Sequence, residues 1–177
     1  MADTLKADIA KELNITARRN DSFKLLLQVK DSSGNINMNV NHNDSYPQYQ
    51  AKMTIINNSG DRVLNIYSYY WRDVTPTSNN TTHPEDLPPS SSAEGHYTGS
   101  NDLNMGIYLQ AQTEAGVSDQ AASITIPHDY MDFQSGTYKY DLQIRKKTGG
   151  TVGDDDNAEF TTWLYGSFIL NADITQS

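Results

Sequence analysis

Four histidines, at positions 42, 83, 96 and 128, are the side chains with the most chemistry to offer in this 177-residue sequence. Imidazoles bind a metal together when their spacing sets them on one helix face or across one hairpin. His42, His83, His96 and His128 have no such spacing, and three of them fall in turn-rich sequence, so surface positions are expected. Asp154-Asp155-Asp156-Asn157 puts four oxygen-bearing side chains in a row, as a calcium loop would. The glycine and the distal glutamate of the EF-hand pattern are missing, so a solvated loop tip is expected, with calcium binding the lesser alternative. There is no nucleophile-elbow motif, no phosphate-cradling glycine loop and no dinucleotide fingerprint. The absence of cysteine excludes a thiol nucleophile, a thiolate-held metal and a disulfide. No motif sets any pair among the 22 acidic residues apart. These residues predict no catalytic site, no metal and no cofactor.

The aromatic residues are better placed to act as a surface. Tyr67, Tyr69, Tyr70 and Trp71 form a cluster at the end of an alternating stretch. Alternation turns half of them away from a core. Two-sided burial is the plainer expectation, and a contact surface is the functional one, since Tyr and Trp dominate interface hot spots. Stacking against a sugar ring is a third use. Tyr67, Tyr69 and Trp71, with Leu87 and Tyr97 from the polar stretch that follows, are therefore the interface candidates.

Charge narrows the partners. Thirteen basic against 22 acidic residues leave a formal net charge of −9, which argues against nucleic acid. Arg18-Arg19 and Arg145-Lys146-Lys147 are the only short basic runs, expected as solvated strand ends. No apolar run approaches the roughly 20 residues a membrane helix needs. Residues 1–11 show neither an apolar core nor a cleavage pattern, so synthesis and maturation in a cytoplasm are expected.

Strands must carry whatever surface there is. Phe23, Leu25, Leu27 and Val29 alternate with polar residues, and Asp31-Ser32-Ser33-Gly34 reads as a turn. A short peripheral strand is expected around Ile36, Met38 and Val40. Tyr49 to Ile55 and Val63 to Trp71 flank the hairpin turn Asn57-Asn58-Ser59-Gly60-Asp61. Met105 to Ala111 and Ala122 to Ile126 are further strands. Pro127 to Phe133 is expected to hold one helical turn. Tyr138, Tyr140, Leu142 and Ile144 mark the cleanest strand, and Phe160 to Leu170 the last, with a bulge expected at Gly166. Asp3 to Leu13 is the only weak helix candidate. Between them, 73–104 is rich in Ser, Thr, Asn and Pro, with Pro76, Pro84, Pro88 and Pro89 opposing any continuous strand.

The prediction is thus an all-β protein, a single antiparallel immunoglobulin-like β-sandwich over 15–177 with an N-terminal arm over 1–14 and a long loop at 73–104. Phe23, Leu25, Leu27, Tyr138, Tyr140, Leu142, Ile144 and Phe168 are expected to form its core. Gly136-x-Tyr138-x-Tyr140 has the layout of a tyrosine corner. Tyr140 then stands where antibody domains carry a cysteine, with Trp163 or Phe168 as its core partner.

Two stretches carry a resemblance. One runs from Asp8 to Gly34 and reads Ile15-Thr16-Ala17-Arg18-Arg19-Asn20-Asp21-Ser22-Phe23-Lys24-Leu25, followed by an alternating strand and the Asp-Ser-Ser-Gly turn. The other runs from Ser135 to Thr175 and reads Ser135-Gly136-Thr137-Tyr138-Lys139-Tyr140-Asp141-Leu142-Gln143-Ile144, then a hairpin, then Gly166-Ser167-Phe168-Ile169-Leu170 and Asp173-Ile174-Thr175. Together they resemble the small immunoglobulin-like modules of tailed-bacteriophage virion proteins, with the N-terminal domain of upper-baseplate proteins foremost. The resemblance covers about two-fifths of the chain, at its ends. It departs in the middle, where those modules have a short connection in place of 73–104. It implies a non-enzymatic virion protein of the tail, baseplate or a fibre, assembled in the host cytoplasm. Its partners would be other virion proteins in symmetric copies, without nucleic acid or membrane insertion. A capsid decoration protein is the alternative within the particle, and a carbohydrate-binding module the alternative outside it. The polar 73–104 stretch cannot alone offset an ordering entropy of roughly 1–2 kcal/mol per residue, so it is expected to order as an arm against neighbouring subunits.

Overall fold

Alternating apolar residues should pair into sheets with one face inward, and the computed structural model shows that result. It describes residues 3–6, 10–31, 34–35, 38, 41–42, 46–68, 93–96, 106–109, 122–147 and 158–173. In chain order the strands are β1 (Asp3–Lys6), β2 (Lys11–Glu12), β3 (Ile15–Arg18), β4 (Phe23–Asp31), β5 (Gly34–Asn35), β6 (Asn41–His42) and β7 (Tyr46–Pro47). They continue as β8 (Tyr49–Ile56), β9 (Arg62–Tyr67), β10 (Ala93–His96), β11 (Gly106–Leu109), β12 (Ala122–Ile126), β13 (Gly136–Lys147) and β14 (Ala158–Asn171). The helical content among the described residues is one 3-10 turn, His128–Tyr130, begun after Pro127 as the sequence predicts.

One sheet runs β1-β4-β12-β11, with β5 folded back on β4. The other runs β10-β9-β8-β13-β14-β2, and β3 also lies along β14. The chain passes from β4 to β8 and β9, returns through β11 and β12, then crosses again to β13 and β14. That order, three strands against four with sheet changes between, is the Greek-key order of immunoglobulin-like sandwiches. β6 and β7 form a separate two-stranded ladder.

The core lies between the two sheets. Leu27, Ile107, Ile124 and Ile126 of the first meet Met53, Ile55, Ile66, Leu142, Ile144 and Leu164 of the second, all buried. Removing each such side chain from water stabilises the fold by about 1.5–3 kcal/mol. Six of the eight expected core residues are buried: Leu27, Tyr138, Tyr140, Leu142, Ile144 and Phe168. Phe23 and Leu25 are half-buried against them. Phe168 meets Phe23 edge-on at 5.5 Å, and Phe133 meets Tyr138 the same way at 5.0 Å.

The tyrosine corner is present. Tyr138 donates its phenol hydrogen to the carbonyl of Gln134, four residues upstream, where the chain turns from β12 into β13. Arg19 pins the same corner from the other sheet edge through an ion pair with Asp132. Asn20, which donates its backbone N–H to Met131, takes a φ of 64°, a left-handed conformation that Asn tolerates better than most residues. The β8–β9 turn also forms as expected. The Asn57 side-chain oxygen accepts from the N–H groups of Ser59 and Asp61, and Gly60 supplies the φ of 88°.

Several expectations are corrected. The helix candidate at Asp3 to Leu13 is instead β1 and β2, parallel to β4 and β14. This stretch is too short and too polar to nucleate a helix, while two sheet edges offer its backbone ready partners. Within the segment 1–14, Asp3–Lys6 and Lys11–Glu12 thus belong to the sheets. Met38 sits in a bend, fully buried, and the rest of 36–40 lies outside the described residues. The stretch 73–104 contains a strand, since β10 pairs parallel with β9; the prolines all precede it. Gly166 is not a bulge. It pairs in register with Tyr140, and the extra residue is Trp163, where the β13–β14 register shifts between Leu142 and Gln143.

Candidate functional site

Because side chains alternate along a strand, β13 sorts its own residues into two faces. Tyr138, Tyr140, Leu142 and Ile144 point into the core. Lys139, Asp141, Gln143, Arg145 and Lys147 form the middle column of the outer face. Pairing with β8 and β14 completes each row. Lys139 stands between Ile56 and Ser167, and Asp141 between Thr54 and Tyr165. Gln143 stands between Lys52 and Thr162, and Arg145 between Gln50 and Phe160.

The two ends of this face differ. At the Lys139 end it is open. Thr54, Ile56, Lys139, Asp141, Tyr165 and Ser167 line a groove of about 490 Å³, with part of Tyr140 and Gly166 in its floor. Tyr165 is the most exposed of the large apolar side chains described, at 45%. Desolvation in the groove pushes the Asp141 carboxyl above its ordinary value, and the Lys52 ammonium pulls it back only in part.

At the other end the same face is covered. Gln50 and Arg145 are 0% exposed, and Arg145 Nη1 donates to Gln50 Oε1 at 2.7 Å. The Arg145 guanidinium also lies 5.9 Å from the Phe160 ring. Lys147 is buried beside them, and Asn65 and Tyr67 of β9 are buried on the neighbouring strand. Arg145 and Lys147 are therefore not the solvated strand ends expected from sequence. A guanidinium with a neutral amide and a ring face against it can be buried where a free ion could not. Arg18 is exposed as expected, and Arg19 is half-buried with Asp132.

The N-terminal strands hold the rim of the groove. The Leu13 N–H donates to the Tyr165 carbonyl at 3.0 Å, and the Leu13 carbonyl accepts from the Tyr140 hydroxyl at 2.7 Å. Asn14 Oδ1 accepts from the Ser167 N–H at 2.9 Å. Gly166 makes this approach possible, because a Cβ there would stand 2.4 Å from the Leu13 carbonyl oxygen. Tyr140 is thus a strap for the link between β2 and β3 as well as a core ring.

The expected interface residues fare differently. Tyr67 is 0% exposed and offers nothing to a partner; its place opposite Lys52 lies on the covered part of the outer face. Tyr69, Trp71, Leu87 and Tyr97 lie outside the described residues, as do His83 and the Asp154–Asn157 loop. His42 and His96 lie on separate strands, β6 and β10, and His128 is exposed beside Asp129. Among the described residues no three His, Asp or Glu side chains gather as a metal site would require. No helix among them is long and apolar enough to cross a membrane. Sequence reasoning missed the Tyr165–Asp141 groove. Lys139 and Asp141 were readable as outward residues, but the register that brings Thr54 and Tyr165 beside them was not. Compared with models of known protein families and with characterised proteins, the sequence matches none.

Proposed function

We propose that this chain is a non-enzymatic structural module of a tailed-bacteriophage particle, in the tail, baseplate or a fibre, working by assembly with other virion proteins. The supporting observation is how the two ends of the chain meet. The stretches that carry the phage-module resemblance are 127 or more residues apart in sequence along their hydrogen bonds, yet they build one packed unit. Ile15 pairs with Phe168 and Ala17 with Leu170, and Phe23 packs edge-on against Phe168. Tyr138 forms the corner from the Gly136-x-Tyr138-x-Tyr140 motif. Motif residues from both ends thus serve one structural unit, as a shared module requires.

Imaging of assembled particles, with this chain located by a fused tag, tests the reading. Density at the tail, baseplate or fibres is the expected result. A position on the head would replace it with the decoration reading, and absence from the particle would overturn both.

A further inference from the structure

The open end of the outer face has a lining that suits one kind of ligand. Tyr165 presents a ring to solvent, and Ile56 is the other apolar lining residue. Around them stand a donor, Lys139, an acceptor, Asp141, and two hydroxyls that both donate and accept, Thr54 and Ser167. All six sit on paired strands, so the spacing is set by the sheet and not by loops. Directly opposed side chains on such a sheet have Cβ atoms about 4.5–5.5 Å apart, a scale that matches the hydroxyls around one sugar ring. The volume of about 490 Å³ lies in the range of small-ligand sites, roughly 300–1,000 Å³.

We propose that this groove binds carbohydrate, taking a pyranose ring of a polysaccharide. Tyr165 stacks on the apolar C–H face of the ring. Asp141 accepts from the ring hydroxyls, Lys139 donates to them, and Thr54 and Ser167 do both. A nucleic acid is disfavoured by the Asp141 carboxylate and by the net charge of −9. A protein segment would need a larger apolar anchor site than Ile56 and one tyrosine supply. The lining includes none of Tyr69–Trp71, and the proposal does not depend on where the chain sits in a particle.

Affinity electrophoresis of the full chain through gels containing a β-1,4-glucan, a mannan or N-acetylglucosamine oligomers tests it. At least one of these should slow the protein. Tyr165→Ala should abolish the retardation, while Tyr130→Ala, an exposed tyrosine outside the groove, should leave it intact. Asp141→Asn should weaken binding by roughly tenfold, because a charged acceptor becomes a neutral one. Melting curves of each variant confirm that the fold is kept. Failure of all three polysaccharides to retard the chain would overturn the proposal. So would retardation that survives Tyr165→Ala, or a Tyr165-dependent self-association by sedimentation, which would make a second copy the occupant.

Discussion

Gly166 is the position where one missing atom matters most. A Cβ there would meet the Leu13 backbone, which has no flexible end to swing away. Gly166→Ala is expected to cost about 1–3 kcal/mol, as overpacking does, and to loosen β2 and β3 from β14. Urea denaturation gives the first effect and hydrogen exchange at Leu13 the second. Tyr138→Phe removes one hydrogen bond at the corner and should cost about 0.5–1.5 kcal/mol by the same melt. Asp141 carries a pH signature. Its carboxyl titrates above the usual 3.8, so the ionised form weighs against the fold. The stability that Asp141 contributes should therefore fall as pH rises through the carboxylate range. Asp141→Asn should be the more stable protein at neutral pH, with the gap closing below about pH 3.8. A gap that widened in acid would mean that the Lys52 attraction outweighs desolvation. The tyrosine corner was legible because its signal is local, a Gly-x-Tyr-x-Tyr spacing. The burial of Arg145 was not, because only the pairing with Gln50 and Phe160 reveals it.

At the level of the elements, β13 was the easiest to read and is the most central, paired along its length with β8 and β14. Strict alternation from Tyr138 to Ile144 fixed both its faces, since a one-residue slip would expose all four apolar side chains. Leu142→Ala is accordingly expected to cost about 2–5 kcal/mol in a two-state melt, and a loss under about 1 kcal/mol would mean that the face is wrongly assigned. The last strand was read less well. Glycine is a common marker of a bulge, but here it marks a close backbone approach, and the bulge falls at Trp163, whose type gives no warning of it. β1, β2 and β10 were missed because they carry no periodic signal. They exist through parallel pairing to strands already present, which is tertiary context and not local propensity.

For the molecule as a whole, the stretch from 69 to 105 behaves as an insertion. Its two ends are held together, because Ser68 bridges to Ile107 and exchanges hydrogen bonds with Ala51 through its backbone and its hydroxyl. A deletion joining Ser68 to Gly106 by a short turn should therefore still fold, with a strand-dominated circular dichroism spectrum. It also removes β10 and bares the edge of β9. Under the assembly reading this variant should fail to enter the particle, and normal incorporation would exclude the insertion as an assembly arm. That idea is already narrowed, since 93–96 pairs with its own sheet.

The strap at Leu13 has one more consequence, for how the protein comes into being. The carbonyl of Leu13 is held by a residue 127 positions later, and the side chain of Asn14 by one 153 positions later. A ribosome delivers β2 and β3 long before β14, the strand on which they dock. Until β14 has emerged, β2 and β3 have no ladder to join, so no intermediate length of nascent chain can close the sandwich. Contacts this distant in sequence also slow folding, because the loop they enclose must be gathered before any of them forms. The segment from β2 to β3 is thus the last part to settle, although β1 can pair with β4 early. Chains truncated before residue 164 should remain protease-sensitive over residues 11–18 even when the middle of the sheet has formed.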